Sequence, residues 1–307
     1  MQTTHTAERS MQNGYIARRP YRNSGDMLSI LGFGSIVLVL EEQARANRIV
    51  AEAVESGINY FDVAPSYGDV FGVRGDAEVK LGPALKPYRR DSFLACKTGC
   101  RTRREAEEEF NLSLERLQTD YFDLYQLHGI TDPVADVETA FGREGVMDFL
   151  LEKRREGRIR YLGFSAHSTA AALAALGEYE FDSVLFAVNY ACWLHGGYGP
   201  QIMDTARDTG AAALALKAGA KQRRGPDYPE DLHPKCWYEP ITDPALMEVA
   251  LKWTLSRPVT AAVSSGDETV YRLQLDTLRK DIPLALSGKE SEYVSEQAMR
   301  ADPIFPL

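Results

Sequence analysis

The chain has 307 residues, enough for one large α/β domain or two of ordinary size. Its 44% hydrophobic and 26% charged residues supply a sizeable core, and 24 glycines with 15 prolines exclude a collagen-like or low-complexity chain. With 35 Lys and Arg against 44 Asp and Glu, the net charge of −9 argues against nucleic-acid or anionic-membrane partners, which reward a basic face.

Residues 1–14 carry no apolar run and read as a flexible N-terminal tail, not a signal peptide. No stretch of about 18 apolar residues follows, so the expectation is a cytoplasmic protein outside the membrane. A strand at 29–39 comes first. A helical pattern over 41–56 stops at Gly57 and runs directly into the strand Ile58-Asn59-Tyr60-Phe61. After a long loop at 68–76 come a strand at 92–97 and a helix at 102–118, where Thr102 and Glu105 suggest a capping box. A strand at 121–128 precedes a second helix–glycine–strand joint, in which 145–156 stops at Gly157 before Ile159 to Phe164. A strand at 182–189 leads to a third joint, where 200–209 stops at Gly210 before Ala211 to Leu216. Glycine just past a helix end takes the left-handed conformation that closes the last turn and releases the chain into a strand. A second long loop, 218–240, is followed by a helix over 241–257 with Pro244 in its first turn, and by a strand at 259–263. Most of the strands are short and apolar without strict alternation, as strands covered on both faces are.

Eight strands alternating with about eight helices predict a single-domain (β/α)8 TIM barrel over 15–307. A doubly wound open sheet is the competitor, but Leu31-Gly32-Phe33-Gly34 does not open into its glycine fingerprint. Chemistry in a barrel sits at the carboxyl ends of strands. Asp62 ends the second strand, Tyr67 lies just beyond it, Lys97 ends the third and His128 the fourth. Alternation puts Gln126, Leu124 and Phe122 on the interior face with His128, and Ala95 and Phe93 with Lys97. Each polar residue alone has an ordinary explanation as a turn cap, a loop aromatic, a solvated strand end or a core histidine. Together they suit acid–base work. A phenol is a weak acid at neutral pH; a nearby ammonium lowers its pKa, a carboxylate holds the ammonium, and an imidazole polarises a carbonyl oxygen.

The runs Asn59-Tyr60-Phe61-Asp62-Val63-Ala64-Pro65-Ser66-Tyr67-Gly68, Lys97-Thr98-Gly99 and Leu127-His128-Gly129 resemble the Asp–Tyr–Lys–His signature of the aldo-keto reductases. The resemblance extends over about residues 16–290 and includes Glu78 to Leu85 and Gly157 to Ser165. It implies a small-molecule substrate and an NAD(P)-dependent oxidoreductase, in which hydride passes between nicotinamide C4 and an aldehyde, ketone or sugar-like carbonyl. Tyr67 would be the general acid in reduction and the base in oxidation. Lys97 would lower its pKa, Asp62 would fix Lys97, and His128 would orient the carbonyl.

Cofactor recognition departs from the family pattern. Ser165 matches the family's carboxamide-binding serine, but Ala166 takes the place of its asparagine and Leu185 that of its glutamine. The stacking aromatic of the seventh strand is replaced by Leu216 and Lys217, so His167, Asn189 and Lys217 are the substitute candidates. Gly34 belongs to the segment that opens the barrel. Ser265, Gly266 and Asp267 follow the last strand, Arg272 matches an arginine that contacts a 2′-phosphate, and Asp276 takes the adenine-contacting position. Arg272 argues for NADP and Asp267 for NAD, and family habit tips the expectation to NADP. Lys217, Lys221, Arg223, Arg224 and Arg272 would then form the basic cluster for the phosphates. Trp193, Trp237 and Tyr238, with Phe71 and Arg74, are candidate pocket walls. The four cysteines and the histidine spacing indicate neither a disulfide framework nor a metal site. Two other readings keep the barrel: a redox-neutral lyase or epimerase, and a cofactor-sensing regulatory subunit.

Overall fold

Apolar strands buried on both faces need a neighbour on each edge and a cover on each side, which a closed parallel barrel provides. The computed structural model describes residues 14–280 and 282–306, so residues 1–13 of the expected tail lie outside the described residues. A hairpin of β1 (Arg18–Pro20) and β2 (Met27–Ser29) comes first. The barrel staves follow: β3 (Leu31–Gly34), β4 (Tyr60–Asp62), β5 (Phe93–Thr98), β6 (Phe122–Ile130), β7 (Ile159–Ala166), β8 (Ser183–Ala187) and β9 (Ala212–Leu216). A ribbon of β10 (Ala220–Arg223) and β11 (Tyr238–Pro240) intervenes before β12 (Ala261–Val263), which pairs with both β9 and β3 and closes the ring.

The covering helices are α1 (Gln43–Glu55), α2 (Asp76–Leu85), α3 (Arg103–Leu117), α4 (Val146–Arg155), α5 (Thr169–Glu178), α6 (Tyr190–Leu194), α7 (Pro200–Thr209), α8 (Pro244–Leu255), α9 (Glu268–Leu278) and α10 (Gly288–Arg300). At the three helix–glycine–strand joints Gly57, Gly157 and Gly210 have φ of 96°, 75° and 74°, the conformation their position demands.

Side-chain alternation divides the apolar residues into two layers. Tyr60, Phe93, Ala95, Leu124, Leu185, Leu214 and Ala261 fill the barrel, while Phe61, Leu94, Tyr125 and Leu127 pack outward under the helices. The hairpin plugs the amino-terminal end: Tyr21 lies 5.2 Å from Phe93 and 5.1 Å from Tyr161, and Arg19 donates 2.7 Å bonds to the carbonyls of Val259 and Leu255.

Four sequence expectations are corrected, and one element was missed. The strand expected at 29–39 ends at Gly34, and Ser35–Leu38 forms a helical turn. Phe122 packs outward against Phe110, because Tyr21, Phe93 and Tyr161 already occupy the interior at that level. Thr102 does precede α3, but its hydroxyl bonds the Glu105 carboxylate at 2.6 Å and caps no backbone amide. The stretch 218–240 is built on the β10–β11 ribbon and is less of a free loop than expected. The plug hairpin had no counterpart in the sequence reading.

Candidate active site

The carboxyl ends of β4, β5 and β6 bring together Asp62, Lys97 and His128, with Tyr67 just beyond β4. Asp62 and Lys97 are 0% and 1% exposed, a burial that only pairing makes tolerable. Lys97 Nζ donates to Asp62 Oδ1, to Tyr67 Oη at 3.0 Å and to the Val63 carbonyl at 3.3 Å. Tyr67 reaches this pair through a turn closed by its own amide on the Ala64 carbonyl, and its hydroxyl lies 3.1 Å from Asp62 Oδ1. The other carboxylate oxygen, Oδ2, is 3.4 Å from both Tyr60 Oη and Gln126 Nε2.

Burial works against the Lys97 ammonium, but Asp62 and Tyr67 together outweigh it and hold Lys97 above the usual lysine value. Burial also raises the Tyr67 phenol, with Lys97 pulling it the other way, so the phenol stays protonated at neutral pH. Lys97 thus acts in the expected direction without dominating. His128 stands edge-on to Tyr67, ring centroids 5.9 Å apart, and its Nδ1 lies 3.3 Å from Ser66 Oγ. Burial, and then the Lys97 charge, hold its pKa well below the usual histidine range. It is a neutral imidazole. If Ser66 donates to Nδ1, Nε2 carries the proton and is free to donate.

The cofactor candidates fare unequally. Ser165 is buried and its Oγ accepts from the Gly129 amide at 2.7 Å. His167 stacks on Phe305 at 4.9 Å, its Nδ1 is buried without a partner among the described residues, and burial lowers its pKa to about 4. Asn189 caps α6 through the amides of Ala191 and Cys192 while its Nδ2 bonds the carbonyls of Lys217 and Ala220, so its polar atoms are all committed. Leu185 belongs to the barrel filling. The Gly34 amide bonds Ser264 Oγ at 2.9 Å, and any Cβ there would meet the Ser264 carbonyl at 2.6 Å, a close approach that only glycine allows. A Cβ on Gly266 would likewise meet Ile36 at 2.5 Å.

Ser265 lies within 3.2 Å of the Tyr238 hydroxyl, and its amide bonds Gln274. Asp267 caps α9 through the amides of Thr269 and Val270, with His233 Nδ1 at 3.1 Å. Asp276 is exposed on α9. Arg272 Nη1 sits 2.9 Å from both oxygens of Glu52 and its Nε 2.9 Å from Glu268.

The expected basic cluster is dispersed. Lys221 pairs with Glu239 at 2.6 Å, Arg223 bonds the Pro303 carbonyl at 2.8 Å, and Arg224 bonds the His233 carbonyl at 2.7 Å. Only Lys217 of that group lacks such a partner among the described residues; its Nζ lies over Tyr238 at 4.7 Å and Trp237 at 5.1 Å.

Trp237 and Tyr238 therefore come together at the barrel mouth. Trp193 does not join them: it packs edge-on against Trp253 of the helix layer at 5.8 Å. Arg74 bridges Asp69 and Glu109, while Phe71 packs on the core. Phe305 was missed by sequence reasoning. It touches His167, Tyr198 and Trp237, and its segment is held by bonds from Arg223 to Asp302 and Pro303. Nothing in a terminal Pro-Ile-Phe-Pro signals this. Ser66 and Gln126 were also missed as partners of His128 and Asp62, although their neighbours in the motif and on the strand face pointed to them.

Among the described residues, no helix is long and apolar enough to cross a membrane, and no group of three His, Cys, Asp or Glu residues could hold a metal. Residues 31–216 match the model of the aldo/keto reductase family. An uncharacterized oxidoreductase of Bacillus subtilis, YqkF, is 30% identical over 276 residues, which covers 80% of this chain and 85% of that protein. L-galactose dehydrogenase of Arabidopsis thaliana is 32% identical over 169 residues, about half of each chain at 49% and 48%. An aldo-keto reductase of Bacillus halodurans, solved in a holo form, matches with a TM-score of 0.71 and 26% identity over 94% of this chain and 99% of its own.

Proposed function

The chain belongs to the aldo/keto reductase family and is an NAD(P)H-dependent oxidoreductase, and from that premise we propose that Tyr67 moves the proton in a carbonyl–alcohol interconversion. The observation that carries this reading is the 3.0 Å contact between Tyr67 Oη and a Lys97 ammonium fixed by Asp62. Reduction adds a hydride to the carbonyl carbon and a proton to its oxygen. A bound nicotinamide dinucleotide supplies the hydride from its ring C4. Tyr67 Oη donates the proton, and the phenolate it leaves is stabilised by Lys97. Asp62 acts through Lys97 and is a positioning residue. His128 Nε2 donates a hydrogen bond to the same carbonyl oxygen and aims it at Tyr67. In alcohol oxidation the Tyr67 phenolate takes the proton back.

Two of the buried polar atoms that lack a partner among the described residues, His167 Nδ1 and Gln274 Nε2, fit a bound dinucleotide, whose amide and oxygens would satisfy them. In this reading Ser165 and His167 hold the nicotinamide side, and Gly34, Ser265, Gly266 and Asp276 line the remainder. Asn189 is left as a latch between loops. Arg272 is already engaged by Glu52 and Glu268, and Glu268 is itself paired with Arg45. An arginine so committed favours a free ribose 2′-hydroxyl over a 2′-phosphate, which moves the reading from NADP towards NAD.

Fluorescence titration with NADH and NADPH, followed by loss of nicotinamide absorbance with a panel of aldehydes and ketones, tests both points. The reading expects turnover, and binding of NADH at least as tight as that of NADPH. Product formed without net nicotinamide consumption would point to a redox-neutral enzyme, and tight binding without turnover to a regulator.

A further inference from the structure

Lys217 stands out among the cations at the barrel mouth. It follows β9 with φ of 65°, and its carbonyl is held by Asn189 Nδ2 at 2.9 Å and by the Ala220 amide at 2.9 Å. The backbone is therefore strained into place and latched there. Its ammonium lies over the faces of Tyr238 and Trp237, yet forms no hydrogen bond or ion pair with the described residues. The neighbouring cations are committed: Lys97 to Asp62, Lys221 to Glu239, Lys235 to Glu41 and Arg272 to Glu52.

The ionisable groups that act on Lys217 are Cys236, Lys97 and Asp62, and Lys217 in turn acts on His128 and His167. Asp62 is the single carboxylate in that set, and Lys97 already occupies it. A partly buried ammonium without an acceptor is costly, and burial accordingly lowers its pKa to about 8. An incoming anion removes that cost. One uncommitted ammonium suits a single negative charge, and the exposed Trp237 ring beside it suits an apolar or ring-shaped remainder.

We infer that Lys217 anchors a carboxylate on the substrate, so that the enzyme's preferred carbonyl compounds are oxo acids, aldehyde acids or sugar acids. The inference rests on the reductase reading above and reassigns Lys217 from cofactor to substrate. Tyr67 and His128 engage the reacting carbonyl, and Lys217 fixes the far end of the molecule. It is a specificity-determining residue for the same reaction.

The test compares 4-formylbenzoate with its methyl ester, which share a reacting aldehyde and differ in one charge. Wild-type kcat/KM is expected to favour the acid by about tenfold or more, through KM, as one charge-assisted contact provides. In K217M the ratio falls towards one, and K217R keeps part of the preference. Calorimetric titration of the same pair, without cofactor, reads the preference independently of turnover. No preference in the wild type by either method overturns the inference. So does a K217M variant that keeps the ratio while losing NADH affinity, since Lys217 would then serve the cofactor. A phosphorylated aldehyde preferred over 4-formylbenzoate also overturns it. Absence of turnover with both aldehydes would count against the reductase reading, while the calorimetric preference would still decide the role of Lys217.

Discussion

At the scale of single residues, the candidate site keeps its buried charges in a pair, Asp62 with Lys97. Removing one member leaves the other uncompensated. Lys97→Met strands Asp62 and is expected to destabilise the fold by about 3–5 kcal/mol, read by denaturant unfolding. An unchanged midpoint would mean that Asp62 relaxes onto Tyr60 and Gln126, its other neighbours. His167 gives a pH signature. Its native pKa of about 4 lies below the unfolded value near 6.5, so between those limits the unfolded chain binds more protons than the native one. Stability should fall as pH drops from about 6.5 to 4, and His167→Gln should flatten part of that slope in melting experiments. The identity and order of Asp62, Tyr67, Lys97 and His128 were legible in the chain because strand-end position and residue type coincide there. The commitments of Asn189 to Ala220 and of Arg272 to Glu52 were not, since those partners meet them only through the fold.

At the scale of elements, the barrel staves announce themselves through apolar runs set off by helix–glycine joints. The plug hairpin does not. Its strands are three residues each, Arg18–Pro20 and Met27–Ser29, too short for any periodicity to register. The β10–β11 ribbon hides for a different reason: its first strand, Ala220–Arg223, is mostly polar and reads as a solvated loop. Helix packing depends on small residues at crossings. In α2, a Cβ on Gly82 would meet the Arg116 carbonyl of α3 at 2.2 Å and the Leu117 Cα at 2.9 Å, both backbone atoms that cannot rotate aside. Gly82→Ala should therefore destabilise by about 1–3 kcal/mol despite its gain in helix propensity. A rise in melting temperature would show that α2 shifts freely on α3.

At the scale of the whole molecule, the net charge of −9 coexists with a mouth whose basic residues are mostly spent on internal contacts. Cofactor binding should therefore depend weakly on ionic strength. Between 50 and 500 mM salt, the NADH dissociation constant is expected to rise by less than about threefold. A tenfold rise would mean that Lys221, Arg223 or Arg224 leaves its protein partner for phosphate.

The proposed carbonyl–alcohol interconversion depends most directly on Tyr67 as proton donor. The most direct measurement is the pre-steady-state rate of carbonyl reduction by Tyr67→Phe, with NADH affinity measured on the same sample. The expected result is a loss of about 10²–10⁴-fold in rate with NADH affinity retained, because only the proton transfer is removed. Reduction at a near-normal rate would contradict it.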